Sequence, residues 1–146
     1  MAIEQERRIY SIVASTIQVP VSVIRHEGHV HADMCKGVRT VIQPPGRQAA
    51  QAAHVVSKLR FDNCSGPAHP GEFQPITTII LQCRDSAELG HIFYWLNRRK
   101  LNPVIFSDNN PEYGPGDWPT AVAVHATPKQ IQNVLDYLPL FLKDVK

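Results

Sequence analysis

The chain reads as an α/β protein: a single domain built on a mixed four-stranded sheet, with helices on both faces in a three-layer α/β/α arrangement. Three observations point there. Short runs rich in β-branched residues alternate with longer segments that carry helix-start signals. The 146 residues are 43% hydrophobic, which suits one compact domain with its own core, and nothing suggests a second. Finally, Ile76 to Cys83 is almost continuously apolar after its threonines, as in a central strand covered on both sides.

The first strand is Ile9 to Ile17. Residues 18–42 mix the apolar run Val19–Ile24, a His-rich polar piece and a second apolar run, Val38 to Ile42. Either this segment is an excursion between strand and helix, or Val38 to Ile42 is itself the strand that leads into the helix. The first is preferred because Ile9 to Ile17 is the better strand. Pro44, Pro45 and Gly46 then stop the chain, and the alanine-rich stretch behind them predicts a helix from Gly46 to near Arg60. Its apolar face is Ala49, Ala52, Ala53, Val56 and Leu59.

A Pro/Gly-rich loop separates that helix from the strand Pro75–Cys83. Asp85 followed by Glu88 resembles a capping box, opening a helix through Leu89, Ile92, Phe93 and Leu96 to the basic end Arg98-Arg99-Lys100. Pro103 to Ser107 is a third strand, ending at Asp108, and a turn-rich loop leads to a fourth, Thr120 to Val124. Thr127-Pro128-Lys129-Gln130 predicts a last helix, with Ile131, Val134, Leu135 and Leu138 on its apolar face.

Charge and cysteine usage narrow the setting. A formal net charge of +2 and a pI near 8.5 are too mild to establish a nucleic-acid partner, so any such case rests on clustering. Three cysteines without paired spacing argue against a disulfide framework and for a reducing compartment. The charged start and the broken apolar run after it fit neither a signal peptide nor a membrane span, so a soluble, cytoplasmic protein is expected.

Along the alanine-rich helix, Arg47, Gln51, His54 and Lys58 follow at steps of four, three and four, which stacks them on one face. Ligands of open α/β sheets sit at the carboxyl ends of the parallel strands. Asp108 ends the third strand. If the chain returns antiparallel, Thr120 lies at the same edge; if the first and third strands are parallel, Arg47 and Gln51 do too. Four polar residues from three segments then face one place.

These residues resemble the type-2 peptidyl-tRNA hydrolases. That family's helix pattern, Gly-Lys-x-Ala-Ala-Gln-x-x-His, is matched by Gly46-Arg47-Gln48-Ala49-Ala50-Gln51-Ala52-Ala53-His54 with arginine for lysine. Its later pattern, an aspartate ending a strand, a Pro-Gly turn and a threonine opening an apolar strand, is matched by Asp108, Pro115-Gly116 and Thr120. The element order agrees from about residue 38 onward. Two features depart: Arg47 keeps a cation but cannot act as a neutral amine, and Asp108-Asn109-Asn110-Pro111-Glu112 stands where the family has Asp-Ala-Gly-Arg-Thr.

The resemblance implies one peptidyl-tRNA hydrolase-like domain over 1–146, with 18–42 as an insertion or extended loop, and a homodimer. It implies hydrolysis of the ester between a peptide and the terminal ribose of tRNA, with neither metal nor other cofactor. Asp108 orients or deprotonates the water, His54 assists, Gln51 and Thr120 orient water and carbonyl, and Arg47 anchors a phosphate. Lys58, Arg60, Arg98, Arg99 and Lys100, with Tyr94 and Trp95 beside the last three, are candidates for a tRNA surface. The departures motivate an alternative, a non-catalytic RNA-binding or protein-interaction relative. His26, His29, His31 and Cys35 suggest zinc, but their spacing matches no zinc motif and a polar loop is the better account. Cys64 and Cys83 lack a matched base and are not expected to be nucleophiles.

Overall fold

One long strand carries the sheet. β1 (Arg8–Pro20) is rich in β-branched and small residues and is long enough to have different neighbours at its two ends. The structure is a computed structural model, and it describes residues 6–20, 25, 26, 29, 30, 38–63, 76–113 and 116–141. Two short strands, β2 (Arg25–His26) and β3 (His29–Val30), pair with each other as an antiparallel ladder. The chain then returns as β4 (Val38–Ile42), enters α1 (Pro45–Asn63), and continues as β5 (Thr78–Asp85) and α2 (Ser86–Arg98). β6 (Val104–Asp108), a 3-10 turn (Pro111–Tyr113) and β7 (Trp118–Ala126) complete the regular elements among the described residues.

The sheet has five strands, not four, and the fold is mixed α/β. β7 pairs antiparallel with both β1 and β6, so β1 and β6 run the same way. On its other flank β1 pairs first with β5, in parallel from Ile9↔Thr78 to Thr16↔Asp85, and then with β4, antiparallel from Thr16↔Ile42 to Pro20↔Val38. Val38 to Ile42 is therefore a strand leading into the helix, contrary to the preferred sequence reading. That run is short and polar-flanked, and it becomes a strand because the far half of β1 offers it a ladder of unpaired backbone groups.

The handover at Thr16 is closed by side chains. Ser15 Oγ and Thr16 Oγ1 each donate to the Arg84 carbonyl at 2.8 Å, and the Gln18 N–H donates to Ser86 Oγ at 3.0 Å. β4 and β5 both end here, so α1 and α2 both start from this rim.

Successive residues of β1 point to opposite faces, and both are buried. Ile9 joins Val55 and Leu59 of α1 with Ala121 and Ala123 of β7. Tyr10, Ile12 and Ala14 join Leu89, Ile92 and Leu96 of α2 with Val122 and Val124. The doubly covered strands are thus β1 and β7. β5, predicted as the central one, buries only Leu81 and Cys83 fully. Its free edge meets the C-terminal chain, with the Gln82 N–H donating to the Pro139 carbonyl and the Phe141 N–H to the Ile80 carbonyl, both at 2.9 Å.

The buried stripe of α1 also differs from the predicted one. Ala52 and Leu59 are buried, but Ala49 and Ala53 are exposed; Val55 and two glutamines, Gln48 and Gln51, take the inner positions. Alanine favours a helix wherever it stands, so its positions mark the helix but not its inner face.

At the C-terminus the capping box forms. The Gln130 N–H donates to Thr127 Oγ1 at 3.3 Å and the Thr127 N–H to Gln130 Oε1 at 2.9 Å. No α-helix follows. Asn133 adopts a left-handed φ of 67°, its N–H is taken by Asp136 Oδ1 at 3.0 Å, and the segment runs on as a series of turns. Ile131, Val134, Leu135 and Leu138 are buried all the same.

Leu89 is fully buried where α2 meets the sheet. Leu89→Ala is expected to lower unfolding stability by about 3 kcal/mol, read as a lower urea midpoint at unchanged slope.

Candidate functional site

The rim where β5 and β6 end, level with Thr16 of β1, gathers the polar residues of the sequence motif. β4 delivers the chain to Pro45, so the first turns of α1 lie over this rim. Gln51 stands on the second turn facing the sheet, almost completely buried. Its amide is used at both ends: Nε2 donates to Asp108 Oδ2 at 2.7 Å, and Oε1 accepts from Thr120 Oγ1 at 3.1 Å.

A bulge makes that meeting possible. Phe106 pairs with Ala121 and Ser107 with Pro119, so Thr120 is an extra residue on β7. In a regular strand Thr120 would share the α2 face with Val122. The bulge re-aims it to the α1 side, where Ala121 already lies. Thr120 is fully buried, and its hydroxyl has a second acceptor, the Phe106 carbonyl at 3.3 Å. Asp108 is two residues beyond Phe106 on the α1 side and half-buried.

Arg47, one turn before Gln51, grips Glu112: Nη1 to Oε2 at 2.8 Å and Nη2 to Oε1 at 3.4 Å. This bond raises the guanidinium pKa and holds the Glu112 carboxyl below its ordinary value. The loop bearing Glu112 is held in turn. Arg39 donates to the Glu112 carbonyl at 2.6 Å, and the Glu112 N–H donates to Asn110 Oδ1 at 3.0 Å. Tyr113 is buried and its hydroxyl donates to Gln43 Oε1 at 3.0 Å. Burial pushes that phenol up, with Asp108 and Glu112 adding to the push against Arg47, so it remains a neutral donor.

Gln43 is itself buried and donates to the Ala14 carbonyl at 2.5 Å. Gln48 donates to the Gln43 carbonyl at 2.7 Å and accepts from Gln82 at 2.8 Å. Buried amides of this kind are stable only when both ends are matched, and these are.

The remaining predicted residues sit apart. His54 is exposed and packs its ring on Phe106, centroids 5.0 Å apart; among the described residues it makes no hydrogen bond to Asp108. Lys58 donates to the Ile105 carbonyl at 2.8 Å. Arg98, Arg99 and Lys100 end α2, beyond the first residue of β6. They are at the opposite rim from Asp108, with the length of β6 between, about 13 Å at 3.3 Å per residue. Arg99 there donates from Nη1 to the carbonyls of Gln130 and Gln132 at 2.8 and 2.6 Å.

Cys35, His31 and Cys64 lie outside the described residues, and of His26 and His29 only the backbone pairing is described. Among the described residues no group of three or more His, Cys, Asp or Glu side chains is arranged to hold a metal ion. None of their helices is long and apolar enough to cross a membrane.

Sequence reasoning missed Gln43, Gln48, Glu112 and Tyr113. Gln43 and Gln48 flank the Pro-Pro-Gly stop, a position that suggested only a turn. Glu112 and Tyr113 lie in the loop where the family pattern breaks off, and no spacing rule connects that loop to Arg47. No protein-family model matches this chain, and no curated protein matches it either.

Cys83 is buried and its thiol is pushed up to about 12, first by burial and then by Glu88 and Asp85. Only the thiolate is a nucleophile, so this sulfur is inert at neutral pH. In a Cys35→Ser/Cys64→Ser variant, Cys83 is expected to resist a thiol reagent at pH 8 until the protein unfolds. Because the folded value is raised, its contribution to stability is complete below the ordinary thiol range. It is lost as pH climbs through that range toward about 12, visible as a falling urea midpoint in the same variant.

Proposed function

We propose that this protein is a cytoplasmic peptidyl-tRNA hydrolase that cleaves the ester between a peptide and the 3′-terminal ribose of tRNA without a cofactor. On this reading the chain is one such domain, layered α/β/α, and works as a homodimer. The observation that carries the reading is the Gln51 amide held between Asp108 and Thr120. Three residues distant in sequence and matched to the family's motifs are joined by hydrogen bonds at the rim where α/β sheets bind ligands.

The chemistry follows from the orientation of that amide. The Asp108 carboxylate, which can only accept, turns the Gln51 nitrogen toward it and leaves the Gln51 oxygen to Thr120, so Oδ2 is occupied as an acceptor. Oδ1 is then the oxygen that takes a proton from water as the water attacks the ester carbonyl. The same proton passes to the departing ribose hydroxyl, so the carboxylate is regenerated when peptide and tRNA separate. His54, a turn further along α1 and open to solvent, is the assisting base or relay. Arg47 anchors a phosphate, which requires it to exchange Glu112 for the substrate.

That exchange favours stating the second reading, a non-catalytic RNA-binding or protein-interaction relative. Glu112 occupies the cation that the family's mechanism needs, and it stands in the turn where the family carries a basic residue.

Asp108→Ala is expected to keep the fold and slow single-turnover release of peptide from an N-blocked aminoacyl-tRNA by at least about 100-fold. Unchanged release would remove Asp108 from the mechanism, and binding without cleavage by the native chain would select the second reading. Glu112→Gln is expected to tighten tRNA binding about two- to fivefold, the scale of an exposed ion pair. Binding that stays the same in a filter or anisotropy assay would show that Arg47 does not meet phosphate.

A further inference from the structure

Along α2, from His91 to Arg99 at the rim away from Asp108, the helix and the C-terminal turns flank a groove of about 410 Å³. Its floor is apolar and buried, formed by Ile92 and Val134, while its walls carry His91, Trp95, Arg99 and Tyr137. We propose that this groove binds single-stranded RNA, stacking a base on Trp95 and Tyr137 and taking the adjoining phosphate on Arg99.

The volume is in the range of small-ligand sites, and the two aromatic side chains have about half their surface in water, Trp95 52% and Tyr137 59%. Trp95 is steadied by Tyr94, which meets it edge-on at 5.4 Å and 79°. Exposed rings held in place beside cations are what sequence-tolerant binding of single strands uses, since every base offers a π face.

Arg99 is prepared for an anion. Nη1 donates to two backbone carbonyls, which hold the guanidinium still without cancelling its charge. A guanidinium has five N–H donors, so Nη2 and Nε remain for a phosphate. No carboxylate lines the groove among the described residues. Glu88, whose charge reaches Tyr137, is paired with Arg84 at 3.2 Å. Arg98 and Lys100 flank Arg99, both exposed and, among the described residues, without an ion pair. Asp136, beside Tyr137, spends one carboxylate oxygen on the Asn133 N–H and is outnumbered by Arg98, Arg99 and Lys100, so the surroundings of the aromatic slot are net cationic, which selects a polyanion that carries flat bases.

This inference does not rest on the hydrolase reading, and one experiment separates them. The full-length protein is titrated into a fluorescein-labelled oligouridylate, with anisotropy read over a series of salt concentrations. Native protein is expected to bind, while Trp95→Ala binds at least about tenfold more weakly. An Arg98→Gln/Lys100→Gln variant, altered only at exposed positions, is expected to lower the slope of log K against log salt by roughly one. Each variant is checked for an unchanged thermal unfolding midpoint. Equal affinity in Trp95→Ala, an unaltered salt slope in the double variant, or no binding by the native chain would each overturn the proposal. Absence of ester cleavage would leave these outcomes as they are.

Discussion

The structure depends on β1 having to satisfy two flanks and two faces at once. A strand of thirteen residues exposes more backbone on one flank than β5 can pair, and β4 takes the remainder from Thr16 onward. Unpaired N–H and C=O groups in a buried strand are costly, so this division is enforced rather than incidental. Its consequence is positional. β4 and β5 stop at the same level, α1 and α2 leave from it, and β6, parallel to β1 across β7, ends there with Asp108. One hydrogen-bonding requirement thereby brings two helix starts and a carboxylate to one rim.

Within that rim, amides do the fitting. Gln43, Gln48, Gln51 and Gln82 each spend a donor or an acceptor on a partner from another element. Buried groups that remain neutral while offering both donor and acceptor can cross-link helix, strand and loop without the desolvation cost of an ion pair. The bulge at Thr120 belongs to the same economy, since it gives up one ladder position to put a hydroxyl under Gln51. The Gln51 amide cannot turn over without setting its oxygen against the Asp108 carboxylate, which has no proton to give it.

Much of this was legible in the residues, and the failures share a cause. β1, β5, β6, β7 and both helices announced themselves through β-branched runs, Pro-Gly stops and the Asp85 cap, whose carboxylate accepts the Glu88 N–H at 2.8 Å. These are local signals. Val38 to Ile42 became a strand because β1 had an unpaired flank, which its own composition does not encode. The last predicted helix gives way to turns where Asn133 takes a left-handed φ of 67°, although Ile131, Val134, Leu135 and Leu138 are buried as expected. That Gln51 and Asp108 share a rim followed from helix period and strand direction, whereas the turn of Thr120 toward Gln51 did not, because it depends on a bulge that no local signal marks. The Arg47–Glu112 pair did not, because it depends on where a turn folds back, and nothing in the spacing of residues 108–113 measures that.

The two rims differ in how their charge is spent, and this bears on how a polyanion would be held. At the Asp108 rim the cation nearest the site in sequence, Arg47, is matched by Glu112, and Arg39 is occupied by the same residue's carbonyl. At the other rim Arg99 is bonded only to neutral carbonyls, so its charge stands, with Arg98 and Lys100 beside it. Attraction of a nucleic acid scales with the charge that is not already compensated. On the proposed reading, affinity is therefore supplied mainly by the far rim, and the near rim contributes selectivity. There a phosphate must displace a carboxylate already in place, so only a substrate that also seats its ester by Asp108 gains enough to do so. On that reading RNA is held broadly and little of it is admitted to the carboxylate.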